Sequence, residues 1–169
     1  ALPLAARLQV LEKIAAEVAE MRREAEGLRL ESIALSKALG RPPLADGVGG
    51  DLNLAKLRIV VATLRKEVAE LEERCRLLAA QVEAEDKELG GELAQKLADA
   101  LALPLAARLP ALETLAAELA KLRREAEELR VEHARLTEVL GRPPLADVEV
   151  GQLSLSRLRV AVATLKEEV

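Results

Sequence analysis

Gly40-Arg41-Pro42-Pro43-Leu44-Ala45-Asp46 is repeated, residue for residue, as Gly141-Arg142-Pro143-Pro144-Leu145-Ala146-Asp147. Each copy follows a long leucine-rich run. Glycine at that point can adopt the left-handed conformation that closes a helix, and the two prolines behind it cannot carry the helix on. Both copies therefore read as connections between long helices. The expected fold is all-α: an antiparallel four-helix bundle, coiled-coil-like, made of two tandem long helical hairpins.

Working outward from the two phrases, residues 1–68 align with 102–169 without a gap, and 42 of the 68 aligned pairs are identical. A repeat this long is a multi-helix unit, not a short solenoid repeat. The chain is expected to form one helical bundle domain over 1–169, with residues 69–101 as the connector. That connector finishes the second helix, turns at Gly90-Gly91 and leads into the second copy.

Apolar residues in the first copy recur at alternating steps of three and four: Leu4, Leu8, Leu11, Ile14, Val18, Met21, Ala25, Leu28, then Ser32, Leu35 and Leu39. This spacing keeps one stripe facing a partner helix, so a helix is expected from about Pro3 to Leu39. The next stripe runs Leu54, Leu57, Val61, Leu64, Val68, Leu71, Cys75, Leu78, Val82, Leu89, interrupted only at Glu85, with Asp51 as a candidate N-cap. Stripes of equal length joined by about a dozen residues argue for antiparallel packing. Leu30, Ile33, Ile59 and Val60 widen the stripes near the first Pro-Pro phrase, which predicts fuller burial there.

The second copy repeats the stripe through Leu105, Leu109, Leu112, Leu115, Leu119, Leu122, Ala126, Leu129, His133, Leu136 and Leu140. Pro104 disfavours helix at Leu103, so a bend is expected there. Pro110 stands where the first copy has Gln9, and the straight helix is expected to begin only near it. A last helix is expected from about Leu153 to Val169. Between Glu92 and Leu103 lies a short run with Leu93, Leu97 and Leu101 on one face. It either folds back over the chain or joins another molecule, making these three leucines the candidate self-association surface.

Composition limits the chemistry. The 169 residues contain no Phe, Tyr or Trp, and only one Met, one Cys and one His. A core here must be aliphatic. The 25 basic and 29 acidic residues are interspersed, leaving a net charge of −4 and no block of one sign; nucleic acid is an unsuitable partner. Cys75 cannot form an internal disulfide, and no run approaches the ~20 apolar residues of a membrane span, so a soluble chain with no membrane partner is expected.

His133 occupies a stripe position where the first copy has Ser32, and the pair reads as a polar layer, or as residues at the edge of the stripe, that helps fix register rather than as a ligand or base. Cys75, between Leu71 and Leu78, reads as a small core residue. Glu72-Glu73 and Glu167-Glu168 fall on solvated faces, while Arg22-Arg23 and Arg123-Arg124 stand beside glutamates that can pair with them. No catalytic, cofactor-binding or metal residue is assigned, no cofactor is expected, and the chain is read as not an enzyme.

These Ala/Leu/Glu/Arg-rich helices, with proline at helix starts, an imperfect tandem copy and no aromatic residue, together resemble a computationally designed helical bundle. The resemblance implies a structural scaffold without natural catalytic activity. The Leu39-Gly40-Arg41-Pro42 junction between helices also resembles the rod segments of antiparallel microtubule-bundling proteins. That implies the alternative of a natural coiled-coil interaction module or cytoskeletal adaptor.

Overall fold

A computed structural model describes residues 2–43, 53–143 and 154–169. Among them every regular element is helical: α1 Leu4–Ala38, α2 Leu54–Glu88, α3 Ala94–Leu101, α4 Leu105–Val139 and α5 Leu155–Glu168. The all-α helical-bundle class expected from the sequence is observed. The candidate cap Asp51 lies outside the described residues. Two compact units make up the chain, residues 1–72 and 73–169, and the boundary falls within α2.

The helices end as the glycines require. Gly40, Gly90 and Gly141 have φ of 69°, 106° and 66°. In each case the N–H of the glycine and that of the next residue fold back onto helix carbonyls, as when Arg41 N–H donates to Ser36 O and Arg142 N–H to Thr137 O. This is the double closure that a left-handed residue permits. Pro3 and Pro104 immediately precede α1 and α4, with extended ψ of 154° and 150°.

In the first unit, α1 lies beside the Leu54–Glu72 part of α2. Arg58 pairs with Glu24 and Arg65 with Glu31. Both pairs join a residue to the one 34 positions farther on, so the two helices run in the same direction. Leu57, Val61, Ser32 and Ser36 are buried.

In the second unit, Arg159 pairs with Glu125 and Lys166 with Glu132, again 34 positions apart, so α4 and α5 are parallel as well. Antiparallel packing comes from the connector. Lys96 of α3 reaches Glu118 of α4, and Glu85 near the end of α2 reaches Arg123, so one sequence rises as the other falls. The end of α2 and α3 thus form a strap, interrupted at Gly90-Gly91, that runs back along α4 before the turn at Leu103-Pro104. The start of α5 docks on the interruption: Leu155 N–H donates to Leu89 O at 3.0 Å. Leu112, Leu119, Leu155 and Leu158 are almost completely buried in this unit.

Three expectations need correction. The helices on either side of each Pro-Pro phrase are parallel, not antiparallel. Offset pairing sets the start of α2 level with residue 20 of α1, about 27 Å back from Ala38 at the helical rise, and the 15 intervening residues can span that distance.

Pro110 does not delay α4, which begins at Leu105 and contains it. Its side chain is exposed, so the ring points to solvent and water can satisfy the Ala106 carbonyl that loses its donor.

Burial of the first stripe is also uneven. Leu4, Leu8, Leu11, Ile14 and Met21 are exposed, and so are Leu30, Ile33 and Ile59, which had been expected to be covered.

Candidate functional site

Among the described residues, the strap and the helix that receives it are a place where the two repeat copies differ in packing: Leu11 is exposed and its equivalent Leu112 is buried. Asp86 organises the strap. Its carbonyl oxygen accepts from Leu89 N–H and Gly91 N–H, while its side-chain Oδ1 accepts from Leu93 N–H at 3.0 Å. A single residue thus closes α2 and starts α3, and it is 3% exposed. Burying a carboxylate is tolerable when backbone donors satisfy it. Gly90 is pressed against Ser154, whose Cβ lies 2.7 Å from where a Cβ on Gly90 would stand. Beyond the interruption, Leu93, Leu97 and Ala100 are buried and cover α4, where Leu112, Leu115 and Leu119 are buried too. Leu101 remains exposed.

Ion pairs and hydrogen bonds along the rim fix the strap's register. Glu85 meets Arg123 at 3.0 Å, Lys96 meets Glu118 at 3.1 Å, and Arg159 bridges Glu125 and Glu92. The Arg108 guanidinium donates to Leu103 O, which ties down the far end of the strap. Glu125 is held below the usual carboxylate range, chiefly by its hydrogen bonds from Arg159. In the first unit Glu24 and Glu31 are lowered for the same reason, by Arg58 and Arg65.

His133 and Cys75 are both buried. Measured from the Glu85–Arg123 pair, Cys75 lies ten residues back on α2 and His133 ten residues on along α4, so they share a level of the antiparallel pair. His133 is accompanied by buried Thr137, whose hydroxyl donates to Ala134 O. In the first copy Ser32 is accompanied by buried Ser36. The polar layer is therefore two residues deep in each unit, at positions i and i+4 of one helix.

Other sequence candidates stay apart from this layer. Glu72 and Glu73 are exposed, with Glu73 hydrogen-bonded to Arg76 on its own helix. Glu168 pairs with Arg142, and Arg124 donates to Ala120 O. Among the described residues no three His, Cys, Asp or Glu side chains are grouped as a metal site would require, and no helix is long and apolar enough to cross a membrane.

Sequence reasoning missed Asp86, Ser36 and Thr137. Asp86 left one legible signal: it is an acceptor placed four residues before a Gly-Gly break, with unpaired N–H groups due just after it. Searched against protein-family models, curated proteins and solved structures, the chain matches none.

Proposed function

We propose that the protein is a structural scaffold that acts through its helical surfaces and not by catalysis. The observation that carries this reading is the duplicated rim. Arg58–Glu24 recurs as Arg159–Glu125, Arg65–Glu31 as Lys166–Glu132, and Arg41–Glu67 as Arg142–Glu168. The charged residues most constrained in position are thus spent on holding helix register. Such repetition, together with the aromatic-free aliphatic core, also supports a designed origin.

A specific observation favours the second reading, a natural coiled-coil interaction module or cytoskeletal adaptor. It is the run of exposed aliphatic side chains along α1, from Leu4 to Met21, since contiguous apolar surface marks a place where something binds.

Light scattering over a hundredfold concentration range separates the two readings. A constant monomer mass favours the self-contained scaffold, and a mass that rises with concentration and falls on Leu11→Glu favours the interaction module. Stoichiometric metal found by elemental analysis, with unfolding sensitive to chelator, would count against both.

A further inference from the structure

In the second unit the strap sits on α4 and α5 by a defined set of groups, and every one of those groups has its equivalent in the first copy. Lys96 binds Glu118, and the equivalent of Glu118 is Glu17. Glu85 binds Arg123, whose equivalent is Arg22, and Glu92 binds Arg159, whose equivalent is Arg58. Arg108, which holds the Leu103 carbonyl, is matched by Arg7. Beneath the strap, Leu112, Leu115 and Leu119 are 0%, 5% and 1% exposed; their equivalents Leu11 and Ile14 are 62% and 48% exposed, and Val18 is half-buried. Charge and apolar pattern are both kept, and only the cover differs.

We infer that the α1 face from Leu4 to Met21 is a docking site for a helical strap of the chemistry of residues 73–103, supplied by another chain. Its occupant is an aliphatic helix broken at a Gly-Gly pair, with an acidic residue placed to meet Arg22 and a basic one placed to meet Glu17. It would lie antiparallel to α1, as α3 lies on α4. This chain's own strap is already seated on α4, with Leu93, Leu97 and Ala100 buried, so the occupant is a partner helix that carries the same pattern. This goes beyond the scaffold reading by naming the partner, and the scaffold reading stands if it fails.

The full chain is titrated with a synthetic peptide of residues 73–104, and binding is read by calorimetry. Folding the peptide on binding offsets part of the interaction, so a Kd on the order of 10 μM is expected at one peptide per chain. Leu11→Glu with Ile14→Glu should weaken binding at least tenfold. Those residues are exposed, so the helical circular dichroism of the variant should match the parent and confirm that it is folded. Glu17→Lys should also weaken binding, and a peptide carrying Lys96→Glu should restore it. Three results would overturn the inference: no heat and no mass change at millimolar peptide, binding unaffected by the double variant, or self-association through α1 that the peptide does not displace. The second would mean that the peptide had exchanged with the strap on α4. The third would mean that two α1 faces pair with each other.

Discussion

Arg159 holds Glu125 through two hydrogen bonds, Nε to Oε1 at 2.6 Å and Nη2 to Oε2 at 2.8 Å, at the same offset as Lys166–Glu132, the register in which α5 runs parallel to α4. Arg58 holds Glu24 in the same way, at 2.7 and 2.8 Å, in the first unit. A two-pronged pair constrains direction as well as distance. Glu24, Glu31 and Glu125 all have folded-state pKa values below the ordinary one, with hydrogen bonding to arginine the largest cause. A lowered carboxylate contributes stability that is present above its unfolded pKa and is lost as pH falls through the folded one. Urea midpoints should therefore be flat down to the usual glutamate range and decline below it. The pairs are exposed, so 1 M salt should shrink that decline. A midpoint independent of pH between 5 and 2.5 would contradict the assignment.

Equivalent stripe positions should respond very differently to truncation. Leu119 and Leu158 are essentially buried, so Leu119→Ala or Leu158→Ala should cost about 2–5 kcal/mol. Leu11→Ala, at an exposed position of the matching stripe, should change stability by roughly 0.5 kcal/mol or less in the isolated chain. Chemical denaturation of the three variants tests this, and similar losses at Leu11 and Leu119 would show that α1 is covered after all.

Pro110→Gln restores both the residue of the first copy and a missing backbone donor inside α4. Because the ring is outward-facing and the helix continues through it, the replacement should stabilise by up to about 3 kcal/mol without moving the helix. Thermal unfolding followed by circular dichroism is the measurement. A lower midpoint would mean that the proline sets a bend on which α3 packing depends.

The strap's interruption makes the glycines unequal. Gly90→Ala places a Cβ 2.7 Å from Ser154 Cβ at a φ of +106°, whereas Gly141→Ala meets open space at a φ of +66°. Alanine at Gly141 should cost roughly 1 kcal/mol for its backbone conformation alone, and alanine at Gly90 clearly more. Denaturation midpoints ordered the other way would exclude the docking of Ser154 on the turn.

Asp86→Asn retains an oxygen that can accept from Leu93 N–H, and Asp86→Ala removes it. The alanine variant should lose about 1–3 kcal/mol, because it leaves a buried donor unsatisfied, and the asparagine variant distinctly less. Faster hydrogen exchange at Leu93 in the alanine variant would locate the effect. Equal losses for both would point to the carboxylate charge and not to the bond.

Much of the fold was legible because its causes are local. Helix closure at Gly40 and Gly141 needs only a glycine followed by prolines, and the bend at Leu103-Pro104 needs only steric exclusion before proline. The buried faces of α4 and of the end of α2 could be read from a 3.5-residue spacing, with His133 on the first and Cys75 on the second among the covered positions. Asp86 was hidden because a lone charged residue on a helix ordinarily faces water, and its burial depends on where the chain goes after Gly91. Helix direction was hidden too. A connection of about fifteen residues can either reverse the chain or carry it back to start a parallel helix, and nothing within it decides between the two.

By itself the sequence determined the helices, their closure at Gly40 and Gly141, the aliphatic nature of the core and the register of charge along each stripe, because these follow from side-chain period and backbone sterics within a few turns. Tertiary structure alone decided which way neighbouring helices run and which of two nearly identical stripes is covered. Leu11 and Leu112 occupy the same place in the same pattern, yet one is exposed and the other buried. The difference is the strap lying across Leu112, and burial is a relation between segments distant in the chain that neither segment encodes alone.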